Sequence, residues 1–307
     1  MRPFGVLNVN KPAGLTSRDV VNRVQRLVKP HRVGHAGTLD PMATGVLVLC
    51  VGQATRLIEY VQQQKKRYIA TFLLGRSSDT EDVTGEVTLE ASPSKPSARE
   101  LETTLLDFTG RITQVPPAFS ALKIKGQRAY KLARQGKQVV LEPRSIEIYD
   151  LQLLRYAYPE WAVDIACSSG TYVRSLGRDI AAALGTGAVM SALERTAVGP
   201  FTVSNAIDIE QLTADNVIER LLPPALALAE LCSLTLSHDQ ISQIVFGKWL
   251  DDPRAGDIFA GEEHGAASRL AQDVAAFDTR QRLVAILRPR GDRKLVPIRN
   301  FLSPQDV

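Results

Sequence analysis

The residues best suited to chemistry lie in one run, Gly34-His35-Ala36-Gly37-Thr38-Leu39-Asp40-Pro41-Met42-Ala43-Thr44-Gly45. Its glycines free the backbone, and Pro41 pushes the residue before it towards an extended conformation. A carboxylate held in that way is pushed out from a rigid sheet edge, free for nucleophilic or electrostatic work. Asp-Pro also opens turns, and taken alone Asp40 fits a simple turn better than a site. The run is not a phosphate-binding loop, because no Lys-Ser/Thr follows Gly45.

Cysteine chemistry is a poor fit. Cys50, Cys167 and Cys232 are odd in number, far apart and set in apolar or small-residue stretches. No pair has metal-ligand spacing, so all three read as buried small hydrophobes in a reducing compartment.

The elements that must hold the run can be read on either side of it. Residues 4–10 alternate as a strand, and 11–14 signal a turn. Thr16-Ser17 caps a helix whose Val20, Val21, Val24, Leu27 and Val28 recur at helical spacing until Pro30. Arg18, Arg23, Arg26 and Lys29 fall largely off that stripe. Residues 46–51 form a continuous apolar run, short enough for a strand buried on both faces. A helix is expected over 54–61, a strand over 66–74 and a polar loop over 76–86. Helices follow over 98–108 and 172–184, with strands near 144–156 and 161–168. Beyond Gly199-Pro200 the chain turns Ala/Leu-rich and acidic, with helix patterns near 208–221 and 237–246 and strand-like pieces at 283–287 and 295–298. Strands and helices mix without strict alternation, which points to an α+β fold. The organisation expected is a domain over 1–230 and a small, mostly β domain over 231–307.

Bulk properties set the context. The chain of 307 residues is 44% hydrophobic and 23% charged, as in ordinary globular proteins. It has no apolar run long enough to span a bilayer and no signal-peptide pattern at its start, so a cytoplasmic location is expected. The net charge of +4 is uneven. Residues 1–67 carry 11 Lys/Arg against 3 Asp/Glu, and residues 205–280 carry 5 against 13. A basic N-terminal block and a basic tail suit a polyanionic partner touched at two places.

The run from Gly34 to Gly45, with Val46-Leu47-Val48-Leu49-Cys50-Val51-Gly52 after it, resembles the signature of the TruB family of tRNA pseudouridine synthases. Asn10-Lys11-Pro12-Ala13-Gly14-Leu15-Thr16-Ser17 is similar to the family's opening motif. Lys66-Arg67-Tyr68, Phe119-Ser120-Ala121-Leu122-Lys123 and Gly170-Thr171-Tyr172-Val173-Arg174 resemble its later ones. The resemblance implies a catalytic domain with a mixed, largely antiparallel sheet and flanking helices, followed by a PUA-like RNA-binding domain. It implies conversion of uridine 55 to pseudouridine in the T loop of tRNA, without metal or cofactor.

By the same resemblance Asp40 is the essential carboxylate, Arg174 its cationic partner, and Tyr68 the aromatic that stacks on the target base. His35 fills the stack vacated by the flipped base, Leu193 lines the uracil pocket, and Lys11 supports the site. The basic stretch within about 115–140, with Lys123, Arg128 and Tyr130, resembles an insertion that closes over the tRNA loop. Its completeness argues for a stand-alone enzyme needing no guide RNA, and a monomer is expected. A guided catalytic subunit and a tRNA-folding module with secondary catalysis are the other readings.

Overall fold

Buried apolar residues make β1 (Phe4–Lys11) the first strand of the computed structural model, which describes residues 3–120, 123–124, 127–128, 135, 141–253, 272–291, 293–303 and 305. Helix α1 (Ser17–Leu27) follows, capped by Thr16. The Thr16 hydroxyl accepts from the Asp19 amide while the Asp19 carboxylate accepts from the Thr16 amide, which satisfies two otherwise orphaned donors. Short β2 (Val33–His35) pairs with β3 (Thr44–Gly52), and the loop between them carries Asp40. β3 is buried along almost its whole length, as its apolar run predicts.

A 3₁₀ turn (Gln53–Leu57) and α2 (Ile58–Gln63) stand where one helix is expected. β4 (Lys66–Leu74) leads into a small hairpin of β5 (Arg76–Ser78) with β6 (Val87–Leu89), so the polar segment 76–86 is a structured strap. Helix α3 (Ala98–Asp107) and β7 (Gly110–Gln114) precede a two-rung hairpin, β8 (Lys123–Ile124) with β9 (Gln127–Arg128). β10 (Arg144–Ala157) and β11 (Glu160–Cys167) then pair antiparallel, and α4 (Val173–Ala183) follows.

The sequence signals no strand after α4, yet β12 (Ala188–Val198) lies in the middle of the main sheet. Its residues Ala192, Glu194, Arg195 and Thr196 interrupt any apolar alternation, so the period-2 signal is lost. It runs antiparallel to β4 and meets β3 in a short parallel bridge, Glu194 with Thr44 and Arg195 with Gly45. β13 (Phe201–Thr202) pairs with β12.

The helix expected over 208–221 does not form. Residues Ile207–Asp208 become β14, parallel to β1, followed by a 3₁₀ turn (Ile209–Gln211) and separate turns. The Asn10 amide bonds Asp208 at 3.0 Å, and Ile209, Leu212 and Val217 drop into the apolar cluster beneath α1. Tertiary packing overrides local helix propensity there.

The main sheet runs β14-β1-β3-β12-β4-β11-β10-β7, mostly antiparallel, with β2 and β13 off that path. Together with its helices this is the α+β architecture expected. A second sheet contains β15 (Cys232–Thr235), β16 (Leu250–Asp251), β17 (Val274–Phe277), β18 (Leu283–Arg290) and β19 (Lys294–Asn300), with α5 (His238–Val245) beside it. One apolar cluster spans both sheets: Val6, Val46, Val48 and Cys50 share it with Ala275, Phe277, Ile286 and Phe301. Tyr60 donates to the fully covered Asp273 carboxylate at 2.8 Å across the same boundary, where Arg288 also binds it. Cys50 and Cys167 are buried, but Cys232 is exposed on an edge strand, contrary to its apolar setting in sequence. No helix among the described residues is long and apolar enough to cross a membrane.

Candidate active site

The loop that carries Asp40 is fastened at its backbone. Ser17 Oγ, at the start of α1, donates to the Leu39 carbonyl at 3.1 Å and accepts from the Leu39 amide at 2.9 Å. The Asp40 carbonyl accepts from the Ala43 amide at 3.1 Å. Asp40 therefore opens a turn, as Asp-Pro ordinarily does, and presents its side chain from it. The Pro41 carbonyl accepts from the Gly14 amide at 2.8 Å and from Lys11 Nζ at 3.2 Å.

Lys11 is wholly buried, and its ammonium also donates to the Pro12 and Leu15 carbonyls at 2.8 and 2.7 Å. It joins the opening turn to the loop at the cost of desolvation. That burial pushes its pKa down to about 8, with the Asp40 charge pulling it back up and the Arg195 charge lowering it further.

Arg174 enters from α4. The Gln114 side chain clamps the helix start, accepting from the Tyr172 amide at 2.8 Å and donating to the Tyr172 carbonyl at 3.0 Å. Gly177 lets the helix press onto the sheet, because a Cβ there would lie 2.1 Å from the Phe72 ring. Held this way, Arg174 Nε lies 3.1 Å from Asp40 Oδ2, and Nη2 lies 3.4 Å from Oδ1. The same guanidinium donates to the Thr80 carbonyl at 2.7 Å and to the Phe119 carbonyl at 3.0 Å. One planar fork thus joins the Asp40 loop, the 76–86 strap and the chain leading into the basic segment.

Asp82 completes the group. Its carboxylate lies 3.6 Å from Arg174 Nη1 and is almost covered, with 5% of the side chain exposed. Its Oδ1 accepts from Thr80 Oγ1 at 2.7 Å and from the Thr84 amide at 2.9 Å. Sequence reasoning missed Asp82 by treating 76–86 as polar loop. The Thr-x-Asp-x-Thr spacing is the signal that could have found it, since such side chains close local turns.

Burial raises the Asp40 carboxyl above its usual value. Arg174 acts against that, Asp82 adds to it, and Lys11 opposes it in turn. The Asp40 side chain is one-third exposed whereas that of Arg174 is 8% exposed. The pair therefore has a covered cationic side and an open anionic side.

Tyr68 lies in β4, opposite Ile165 on one side and Arg195 on the other. It is buried, and burial raises its phenol above the ordinary range while the Arg195 cation works against that rise. Leu193, opposite Ala70, shares an apolar cluster with Tyr68, Leu39 and Ala43. Residues two apart on a strand share a face, so Tyr68, Ala70, Leu193 and Arg195 line one side of the sheet below the loop. His35 ends β2 opposite Leu49, at the entry to the loop. Lys123 and Arg128 are backbone register partners in the β8–β9 hairpin, while Tyr130 lies outside the described residues.

An Asp–Arg pair over an apolar, tyrosine-lined floor, at the centre of this mixed sheet, is the arrangement expected of a pseudouridine synthase. Residues 25–173 match the family model for the N-terminal domain of TruB family pseudouridylate synthases. Residues 174–227 match that of the tRNA pseudouridylate synthase B C-terminal domain. The chain is 38% identical over 304 residues to tRNA pseudouridine synthase B of Dehalococcoides mccartyi strain 195, covering 98% of this chain and 97% of the relative. The corresponding Syntrophotalea carbinolica protein is 43% identical over 246 residues, 79% of this chain and 80% of the relative. Among solved structures, one described as a Cbf5-Nop10-Gar1 complex overlays with a TM-score of 0.75 at 23% identity, covering 99% of this chain and 87% of the other. That last likeness speaks for the fold alone. The chain belongs to the TruB family. It is a pseudouridine synthase, an isomerase.

Proposed function

We propose that this chain converts uridine 55 in the T loop of tRNA to pseudouridine, with Asp40 as the essential carboxylate. The observation that carries the reading is the Asp40–Arg174 contact, in which the cation is covered and the carboxylate is open. The reaction breaks the N1–C1′ bond, turns the uracil and rejoins it through C5, which gives up its proton while N1 ends protonated. A carboxylate must attack or stabilise the sugar or base while the C–N bond is broken, and it must be ionised to do so. Burial opposes ionisation, and the two-point Arg174 contact supports it.

The remaining residues divide the other tasks. Tyr68 and Leu193 supply the floor against which the uracil packs and turns. His35, at the mouth of the loop, takes the place of the extruded base, whose unstacking costs about a few kcal/mol. Lys11 holds the Asp40 turn in place through carbonyls rather than through the reaction. Lys123, Arg128 and Tyr130 meet the RNA backbone and loop bases. Residues 1–230 act as the catalytic part, and residues 231–307 as a further RNA-binding part that works with them. The active unit is a cytoplasmic monomer requiring no guide RNA, metal or cofactor.

Purified protein incubated with an unmodified tRNA transcript, without metal, nucleotide or guide RNA, should place pseudouridine at position 55. A tRNA left unmodified would count decisively against stand-alone action.

A further inference from the structure

We infer that Arg195 is a positioning residue that ties the Asp40 loop to Tyr68. No local sequence signal marks it out. It lies on β12, the strand between β3 and β4, with its backbone bridged to Gly45 on one side and to Tyr68 on the other. The side chain is buried. Its Nε donates to the Val46 carbonyl at 2.7 Å, and Nη2 donates to the Gly37 carbonyl at 3.2 Å. Gly37 and Val46 stand at the two ends of the loop that carries Asp40, so one guanidinium closes the loop at its base.

The backbone beneath makes the same connection. Gly45 has φ +96°, and a Cβ there would lie 2.3 Å from the Arg195 carbonyl oxygen. Only glycine lets β3 approach β12 closely enough for Arg195 to reach across it.

The same residue also faces the floor. Arg195 is the register partner of Tyr68 across β12 and β4, so both side chains start from one face of the sheet, and its charge works against the rise that burial imposes on the Tyr68 phenol. Arg195 therefore sets the height of the Asp40 turn above the sheet from the strand position that adjoins Tyr68. Lysine could keep the charge but not two divergent contacts from one planar group.

The test compares wild type with Arg195→Lys on an unmodified T-arm RNA, reading the single-turnover rate, the RNA Kd and the thermal midpoint. The rate should fall about 10- to 100-fold, the scale of misplacement by up to about 1 Å, with Kd unchanged within about 2-fold. A wild-type rate in the variant, or a rate and an affinity that fall by the same factor, overturns the assignment. Should Arg195→Lys fail to fold, the decision passes to the wild-type chain. There the side-chain hydrogens of Arg195, held on the Val46 and Gly37 carbonyls, should exchange much more slowly than those of the exposed Arg155. Exchange as fast as that of Arg155 overturns the assignment equally. Failure of the wild-type chain to form pseudouridine would instead strike the proposed reaction, leaving the exchange measurement to judge Arg195.

Discussion

Asp40 and Arg174 meet at two points, Nε to Oδ2 at 3.1 Å and Nη2 to Oδ1 at 3.4 Å. The arginine spends its other donors on the Thr80 and Phe119 carbonyls, so its position is set by backbone rather than by the carboxylate alone. The carboxylate is thus presented by a cation that cannot easily follow it away.

Replacing Asp40 by Asn keeps the shape of the side chain and removes its charge. Pseudouridine formation should fall below detection while tRNA Kd stays within about 3-fold of wild type, because phosphate contacts rather than this carboxylate supply most of the affinity. Filter binding and pseudouridine mapping on the same preparation check both halves. Product at the wild-type rate would remove Asp40 from the reaction.

Asp82→Asn should separate rate from pH dependence. Asp82 raises the Asp40 carboxyl, so its neutralisation should move the acid limb of the pH–rate profile to lower pH. The maximal rate should nevertheless drop, by roughly 5- to 150-fold for about 1–3 kcal/mol, because Arg174 loses a buried counter-charge. An acid limb that moves upward would contradict this electrostatic arrangement.

Lys66 offers a stability test. It is buried, its ammonium donates to the Gln62 and Gln64 carbonyls, and desolvation pushes its pKa from 10.5 down to about 8. Between those values the unfolded chain binds more protons than the folded one, so this group's contribution to stability rises with pH. Below about pH 8 both states carry the charge and its full burial cost is felt. The wild-type stability relative to Lys66→Met should therefore improve from pH 8 to 10.5, by at most about 1.4 kcal/mol per pH unit. Urea midpoints at several pH values across that range decide it; a flat difference would mean that Lys66 titrates normally.

Gly177→Ala should do harm well beyond its size. The added methyl meets the Phe72 ring, and overpacking of that kind costs about 1–3 kcal/mol. Relief requires α4 to lift from β4, carrying Arg174 with it. A lower thermal midpoint together with a rate loss larger than the change in RNA affinity is expected. An unchanged midpoint would show that the helix has room to spare.

Lys123→Ala and Arg128→Ala should weaken tRNA binding and flatten the dependence of log K on log salt, by roughly 0.7–0.9 for each phosphate that is no longer neutralised. Titrations at three or more salt concentrations read the slope. An unaltered slope would take the β8–β9 hairpin off the RNA surface.

The parts of this arrangement legible from sequence were those with a local signal. The Asp-Pro turn, the Thr16 cap and the unbroken run of β3 all depend on residues close together in the chain, and the structure has each of them. Arg174 became visible as a site residue only through its motif, since an early helical arginine is ordinarily a surface group. Asp82 and Arg195 escaped notice because their settings are built by distant segments. The first lies in a strap folded back onto α4, and the second on a strand whose polar residues hide its periodicity. The helix expected over 208–221 failed for the same reason, as contacts to β1 and α1 outweighed local pattern. Cys232 looked buried by its neighbours in sequence, but an edge strand leaves it in the open.

The apolar cluster shared by the two sheets bears on how such a chain can change over time. Val6, Val46, Val48 and Cys50 belong to the strands beneath the Asp40 loop, and they are covered in common with Phe277, Ile286 and Phe301 from the far sheet. The C-terminal piece is therefore not a detachable accessory that can be traded, trimmed or moved along the chain at no cost. Any lineage that remodels the outer side of this piece must leave its inner face intact, because that face also covers the strands beneath the Asp40 loop.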